Sequence, residues 1–245
     1  MTDSPWYVEA FRGDYREVYS HRDPEAARRE VDWLLSLGLE GRLLDLCCGF
    51  GRHSVALARA GRTVFGLDLS ADLLGGAREL ESAELLAGRL MRGDARQLPF
   101  LEASFGGVLN LFSSFGYFGD SGDEAVACEI ARVLVPGGLA VFDLMNPERI
   151  RSRLVPESEK EQNGIRILER RSLEEGGRRV VKEVRLELPG GRSRAWREDV
   201  RLYEPAEIRA LLARVSLEPI RSFGGFSDTP FGPDAERQLV VARRL

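Results

Sequence analysis

The stretch Leu43-Leu-Asp-Leu-Cys-Cys-Gly-Phe-Gly-Arg-His-Ser54 decides how the rest of this chain is read. An apolar run ends in Gly49-Phe50-Gly51 and passes into a helix-like segment, Ser54–Ala60. A buried strand, a glycine-rich turn and a helix N-terminus in that order let backbone come close to a nucleoside-type ligand. Asp45 stands inside the apolar run, four residues before the first glycine. A buried carboxylate is costly unless something satisfies it, so its presence on a core strand marks a site.

Outward from this turn the pattern is regular. Strands are predicted at Arg42–Cys48, Thr63–Asp68, Arg89–Gly93, Gly107–Phe112 and Leu139–Asp143, with helices at Ser54–Ala60, Ala71–Ala83 and Asp123–Val135. Alternating helices and continuous apolar strands predict an α/β fold: a doubly wound parallel sheet covered on both faces. Residues 1–40 read as an N-terminal helical cap, with Asp23-Pro24 as N-cap and first turn of a helix over Ala26–Leu37.

After Asn146-Pro147 the period becomes two. Ile165–Leu173, Arg179–Leu188 and Ser193–Leu202 alternate apolar and polar residues, separated by Glu174-Glu-Gly-Gly177 and Leu188-Pro-Gly-Gly191. Residues 147–202 therefore form an antiparallel three-strand β insertion, a lid or a dimer element. A helix at Pro205–Val215 and strands near Ile220–Phe223 and Gln238–Arg243 return the chain to the main domain, residues 41–146 and 203–245. Trp196 shares a strand face with Val200 and Leu202 and reads as core or dimer contact.

Composition narrows the function. Of 245 residues, 43% are hydrophobic and 30% charged, which is globular. The net charge of −4 argues against a general nucleic-acid binder. No basic segment followed by an apolar core opens the chain, and no apolar run reaches the roughly 20 residues of a membrane span, so a cytoplasmic protein is expected. The three cysteines and two histidines give neither a disulfide framework nor a metal spacing, so Cys47 and Cys48 read as small core residues. Only two of the 35 basic residues are lysines, and amides are scarce, a bias that fits a GC-rich genome or a thermophile.

Two ligands fit a glycine loop after the first strand of such a sheet: a nicotinamide dinucleotide and S-adenosylmethionine. Asp68, 19 residues beyond Gly49, would accept hydrogen bonds from ribose hydroxyls in either case. Three features favour S-adenosylmethionine. Ser54 replaces the third glycine of the dinucleotide fingerprint, and Asp45 lies inside the first strand. Asp94, in Met91-Arg-Gly-Asp-Ala-Arg-Gln-Leu-Pro-Phe100, follows the third strand, where a carboxylate accepts from an adenine amino group and Ala95 donates its N–H.

With these motifs in order, the chain resembles the class I S-adenosylmethionine-dependent methyltransferases of small-molecule type, most closely over residues 40–146. Leu44–His53 looks like the first family motif, Gly66-Leu-Asp-Leu-Ser70 the second-strand motif and Gly93-Asp-Ala95 the adenine-binding one. Phe105–Phe118 resembles the fourth-strand motif, with Gly106 where the family usually has Asp, and Arg132–Gly138 resembles the turn before strand five. The resemblance implies a Rossmann-like seven-stranded sheet whose last strand is antiparallel. It also implies a cofactor contact set of Asp45, Gly49, Phe50, Gly51, Asp68, Leu69, Asp94, Ala95 and Leu111, with the Asn110–Leu111 backbone at the methionine end.

Methyl transfer is an in-line displacement that asks the protein for alignment and desolvation, and for a base only when the nucleophile arrives protonated. His53 at the glycine loop and Tyr117 beyond strand four are the candidates for proton transfer and acceptor contact, each equally readable as packing. Tyr15 and Tyr19, one helical turn apart, would close over the cofactor. Residues 148–201 hold 15 basic and 11 acidic groups, which suits either an anionic acceptor or a solvated face of paired charges. The expected function is transfer from S-adenosylmethionine, giving S-adenosylhomocysteine, to a small molecule, an anionic one on the first reading of that charge, with no metal and a homodimer through the insertion. An RNA or protein methyltransferase, a non-catalytic cofactor-binding module and an NAD-dependent dehydrogenase are the alternatives.

Overall fold

The computed structural model describes residues 4–13, 15, 24–80 and 82–245. Seven of its strands build one sheet. β1 (Leu43–Leu46) lies at its centre, parallel to β2 (Val64–Asp68) on one side and β4 (Phe105–Asn110) on the other. β3 (Leu90–Arg92) extends the sheet beyond β2, and β5 (Leu134–Met145) beyond β4. β11 (Arg237–Arg244) then runs antiparallel between β5 and β10 (Leu217–Phe223). The order β10-β11-β5-β4-β1-β2-β3 reverses between β1 and β4, and such a reversal opens a crevice at the carboxyl ends of the strands.

Apolar runs on β1 and β4 are buried on both faces because helices cover both sides. On one side Leu44, Val108, Phe142 and Ile130 share a core cluster; on the other Leu43, Leu109 and Val141 pack with Val31 and Leu34. The latter two belong to α2 (Pro24–Ser36), which follows the short α1 (Trp6–Ala10). α3 (Arg52–Arg59), α4 (Ala71–Gly76) and α5 (Gly119–Val133) join the parallel strands, α6 (Pro147–Arg153) follows β5, and α7 (Pro205–Arg214) precedes β10.

Gly106, the departure from the family pattern, has a steric cause. A Cβ there would stand 2.1 Å from the Glu40 carbonyl oxygen, so no side chain fits unless the backbone moves.

Several local readings differ from the sequence expectation. The helix predicted over Ala71–Ala83 stops at Gly76 and continues as short 3₁₀ segments, consistent with the low helix propensity of Gly75-Gly76. The helix predicted at Asp123–Val135 begins earlier, at Gly119, and ends at Val133. α6 went unread, although Asn146 accepts from Glu148 and Arg149 N–H groups and Pro147 takes the first turn. Within residues 3–40 the described helices are α1 and α2, joined partly by segments outside the described residues, as is the predicted N-cap Asp23.

The insertion sheet has four strands, not three: β6 (Glu157–Gln162), β7 (Ile165–Glu174), β8 (Arg179–Glu187) and β9 (Ser193–Arg201), antiparallel throughout. β6 escaped notice because Glu-Ser-Glu-Lys-Glu-Gln carries no apolar alternation. As an outer strand with three glutamates and a lysine, it has the composition that blunts edge-to-edge pairing, which weighs against dimerisation through that edge. Trp196 packs with Ala10, Trp6 and Phe11, so it is core beneath the N-terminal helix. Among the described residues no helix is long and apolar enough to cross a membrane.

Candidate active site

The crevice at the β1–β4 reversal holds a cavity of about 410 Å³. Its floor comes from the first motif. Gly49 and Gly51 adopt left-handed backbone (φ 58° and 76°), and Gly51 is the N-cap of α3. Gly66 on β2 leaves room for this loop: a Cβ there would approach Cys48 Sγ to 2.9 Å and Ser54 Oγ to 3.1 Å.

Ser54 answers the question of the buried acid. Its hydroxyl donates to Asp45 Oδ2 at 2.6 Å, and the two residues are 0% and 2% exposed. Burial raises the Asp45 carboxyl above the usual range, against the pull of His53, Ser54 and Arg52. A glycine at position 54 would leave this acid without its hydroxyl partner. Ser54→Ala is expected to cost about 1–3 kcal/mol, the usual penalty for orphaning a buried polar group, read as a lower denaturation midpoint at unchanged slope.

Asp68 closes the other side of the loop. Oδ2 accepts from Gly49 N–H and Oδ1 from Ser70 N–H, both at 2.8 Å. Burial raises its carboxyl too, opposed by the two N–H groups. Both cysteine thiols are pushed up by burial and by the neighbouring carboxylates, yet both are half-buried and line the cavity, which corrects their reading as core residues.

The roof is aromatic. Tyr7 and Phe11 come from the N-terminal segment, and Tyr117 and Phe118 from the loop after β4; all four line the cavity. Trp6 and Tyr117 rings meet edge to face at 4.8 Å, Tyr7 and Phe118 likewise at 4.8 Å, and Phe11 stacks on Tyr117 at 5.7 Å. Ser70 Oγ also donates to the Phe11 carbonyl, tying the roof to the turn beyond β2. The insertion sheet lies behind α1, with Trp196, Ile165 and Val184 against Ala10 and Trp6.

Of the sequence candidates, Asp45, Gly49, Phe50, Asp68, Leu69, Leu111, Tyr15, His53 and Tyr117 line this cavity. Gly51 shapes the turn from outside the lining, and Tyr19 lies outside the described residues. Asp94 and Ala95 lie outside this lining. Arg96 grips Asp94 at 3.0 Å (Nε to Oδ1) and 2.6 Å (Nη2 to Oδ2), and its hydrogen bond lowers the Asp94 carboxyl. The same guanidinium lies 4.6 Å over the Phe118 ring, linking Asp94 to the roof.

His53 pairs with an acid: Nε2 lies 2.7 Å from Glu30 Oε2 on α2, which also accepts from Arg52 Nη1 at 2.9 Å. Burial pushes the Glu30 carboxyl up, but His53 and then Arg52 outweigh it and the net shift is downward. Phe115 is 2% exposed and packs on Phe142 and Tyr203, so it is core and not an acceptor contact.

The basic groups of the insertion are largely paired, some beyond it, as Arg151 with Glu204 at 2.6 Å and Arg178 with Glu207 at 3.2 Å, and others within it. Lys182 meets Glu198 at 3.0 Å, Arg179 meets Asp199 at 2.6 Å and Arg197 meets Glu174 at 2.9 Å. Among the described residues, none from 148–201 lines the cavity, which favours the paired-face reading of that charge.

Sequence reasoning missed Arg52, Phe112 and the Tyr7–Phe11 pair as cavity residues. Tyr7 and Phe11 stand at i, i+4 spacing, a signal that was present. Phe112 carried none.

The sheet order and the reversed β11 hairpin define the class I methyltransferase fold. Residues 43–138 match the family model described as a methyltransferase domain. Over that span the chain carries a methyltransferase domain, and its sheet is that of the class I S-adenosylmethionine-dependent methyltransferases. It is 29% identical over 152 residues to the putative methyltransferase YqeM of Bacillus subtilis (strain 168), covering 61% of this chain and 60% of that one. It is 37% identical over 148 residues to a fatty-acid O-methyltransferase of Mycolicibacterium smegmatis (strain ATCC 700084 / mc(2)155), covering 59% and 50%. The chain thus spans about half the length of the curated relatives it matches. Among solved structures, an S-adenosylmethionine-dependent methyltransferase from Clostridium acetobutylicum ATCC 824 superposes with a TM-score of 0.81 at 18% identity, over 94% of this chain and 96% of that one.

Proposed function

We propose that this chain transfers a methyl group from S-adenosylmethionine to a small-molecule acceptor held under the aromatic roof. The observation that carries the reading is one cavity at the β1–β4 reversal that brings together the left-handed glycine turn and the carboxylate ending β2. The donor set fits the cofactor: glycine backbone that admits a close ligand and a buried acid suited to ribose hydroxyls. When bound, S-adenosylmethionine supplies a methyl carbon already activated by a sulfonium.

The chain's part is alignment and exclusion of water. Asp68 fixes the loop and holds the ribose, and Tyr7, Phe11, Tyr117 and Phe118 close the cavity from above. Tyr117 is the proposed acceptor contact; His53 serves to hold α2 on the glycine loop through Glu30. A cavity of about 410 Å³ under a roof suits a small molecule better than a folded RNA or protein surface. The apolar rings of the roof agree with a relative that acts on fatty acids.

Calorimetry with S-adenosylhomocysteine and NAD tests the cofactor, followed by transfer of labelled methyl from S-adenosylmethionine into metabolite pools and tRNA. Binding of S-adenosylhomocysteine and label in the small-molecule fraction are expected. Binding of NAD alone, or label only in tRNA, would overturn the reading.

A further inference from the structure

We propose that Asp143 and Arg237 are positioning residues for the methionine end of the cofactor, acting through a clamped turn at Phe112-Ser113. The inference rests on the function proposed above and adds the device that sets one wall of that site.

Phe112 and Ser113 both adopt left-handed backbone, with φ of 57° and 58°. Neither is glycine, and Cβ crowding against the carbonyl oxygen disfavours that region for each of them. Two such residues in succession persist only where their surroundings over-determine them, and backbone of this kind concentrates at functional sites.

The surroundings are an ionic clamp. Asp143, on β5 and 0% exposed, accepts from Phe112 N–H at Oδ2 (2.8 Å), and its own carbonyl accepts from Ser113 N–H (2.9 Å). Arg237, at the start of β11, donates from Nε to Asp143 Oδ1 at 2.6 Å and from Nη2 to Ser113 Oγ at 2.7 Å. The guanidinium thus neutralises the buried acid and grips the turn with one side chain. The carboxylate needs the arginine because a buried charge without a partner is strongly disfavoured.

What the clamp holds is cavity wall. Leu111, Phe112 and Ser114 line the cavity, and Ser114 Oγ donates to the Leu111 carbonyl at 2.7 Å. The Phe112 ring lies 4.0 Å beneath the Arg52 guanidinium, which springs from the first turn of α3 beside the glycine loop. Moving the turn therefore shifts the β4 wall and its contact with the glycine-loop wall together. A turn relaxed to extended backbone would carry both away from the cofactor.

The test compares wild type with Arg237→Lys, which has a single donor group for two acceptors, and Asp143→Asn, which keeps an oxygen for Phe112 N–H but loses its charge. S-adenosylhomocysteine affinity by calorimetry, melting temperature and amide exchange at Phe112 and Ser113 are measured. At least about tenfold weaker binding is expected from each, the scale of a charge-assisted hydrogen bond, with faster exchange at both amides. Adding Ser113→Gly to Arg237→Lys should recover part of the affinity, because glycine takes this backbone without penalty.

A loss of stability alone would not be rescued in this way. Unchanged affinity beside faster exchange overturns the positioning role, and so does lost affinity that glycine fails to recover. If Asp143→Asn does not fold, Ser113→Ala removes only the Arg237 contact; about threefold weaker binding is then expected, and none would overturn the proposal. Wild type that fails to bind S-adenosylhomocysteine would defeat the functional reading itself, and slow wild-type exchange at the two amides would still report on the clamp.

Discussion

Asp68→Ala should weaken S-adenosylhomocysteine binding by about 10- to 150-fold, the worth of roughly 1.5–3 kcal/mol for hydrogen bonds to a charged group. The carboxylate does two jobs. It lines the cavity at the end of β2, and it accepts the N–H groups of Gly49 and Ser70 at 2.8 Å each, fixing both turns that frame the ligand. Alanine removes the ligand contact and releases the two loops together. Asp68→Asn keeps one acceptor oxygen for two N–H donors and should fall between wild type and alanine. Calorimetry on the three proteins checks the order; wild-type affinity in Asp68→Ala would sink the ribose role.

The pH dependence of this site follows from burial, which raises the Asp68 carboxyl above its usual range. The folded protein therefore binds this proton more tightly than the unfolded chain does. Asp68 contributes to stability in the sense that rises as pH falls through its raised value. Cofactor affinity runs the other way, because the protonated acid no longer accepts freely from a hydroxyl. As pH is lowered, binding should start to fail above the pH at which an ordinary aspartate protonates, while this residue's share of stability improves. Calorimetry and denaturant titration in one buffer series separate the two trends, and parallel trends would contradict the assignment.

Where the sequence was legible, the physics was local. A glycine pair after an apolar run fixed the turn at Gly49–Gly51, and an acid at the end of the next run fixed Asp68. Period-two alternation between Gly-Gly turns found β7, β8 and β9. β6 was invisible because a solvated outer strand pairs through backbone alone and leaves no apolar mark on Glu157–Gln162.

The left-handed turn at Phe112-Ser113 was invisible for a related reason. Such backbone normally announces itself by glycine, and here a carboxylate 31 residues away holds a phenylalanine in it. The Asp94–Arg96 grip joins residues two apart, yet only the fold shows that the same guanidinium meets the Phe118 ring of the roof. Ser54 was legible as a missing glycine, but its purpose appeared only when β1 and α3 were placed together.

Glu30 is the residue that no local pattern could have found, since its partners lie 22 and 23 positions away. One oxygen, Oε2, accepts from Arg52 Nη1 at 2.9 Å and faces His53 Nε2 at 2.7 Å, with the Arg52 side chain 7% exposed and that of Glu30 17%. Removing one member of a buried pair leaves an uncompensated charge, at about 3–5 kcal/mol when burial is complete. Glu30 keeps some solvent, so about 2–3 kcal/mol is expected for Glu30→Gln at neutral pH.

The surface pair Glu25–Arg29 on the same helix, with side chains 72% and 62% exposed, is the control. Glu25→Gln should stay within about 0.5 kcal/mol of wild type. His53 and Arg52 together hold the Glu30 carboxyl below its usual range despite burial. Its stabilisation is therefore complete above the ordinary glutamate range and is lost as pH falls through the lowered value. Glu30→Gln should accordingly flatten the acid limb of the stability curve as well as lower its plateau. Because Arg52 also lies over Phe112, the variant should weaken S-adenosylhomocysteine binding, whereas Glu25→Gln should not. Equal costs for the two substitutions would mean that α2 is held on the glycine loop by its apolar face and not by this buried charge.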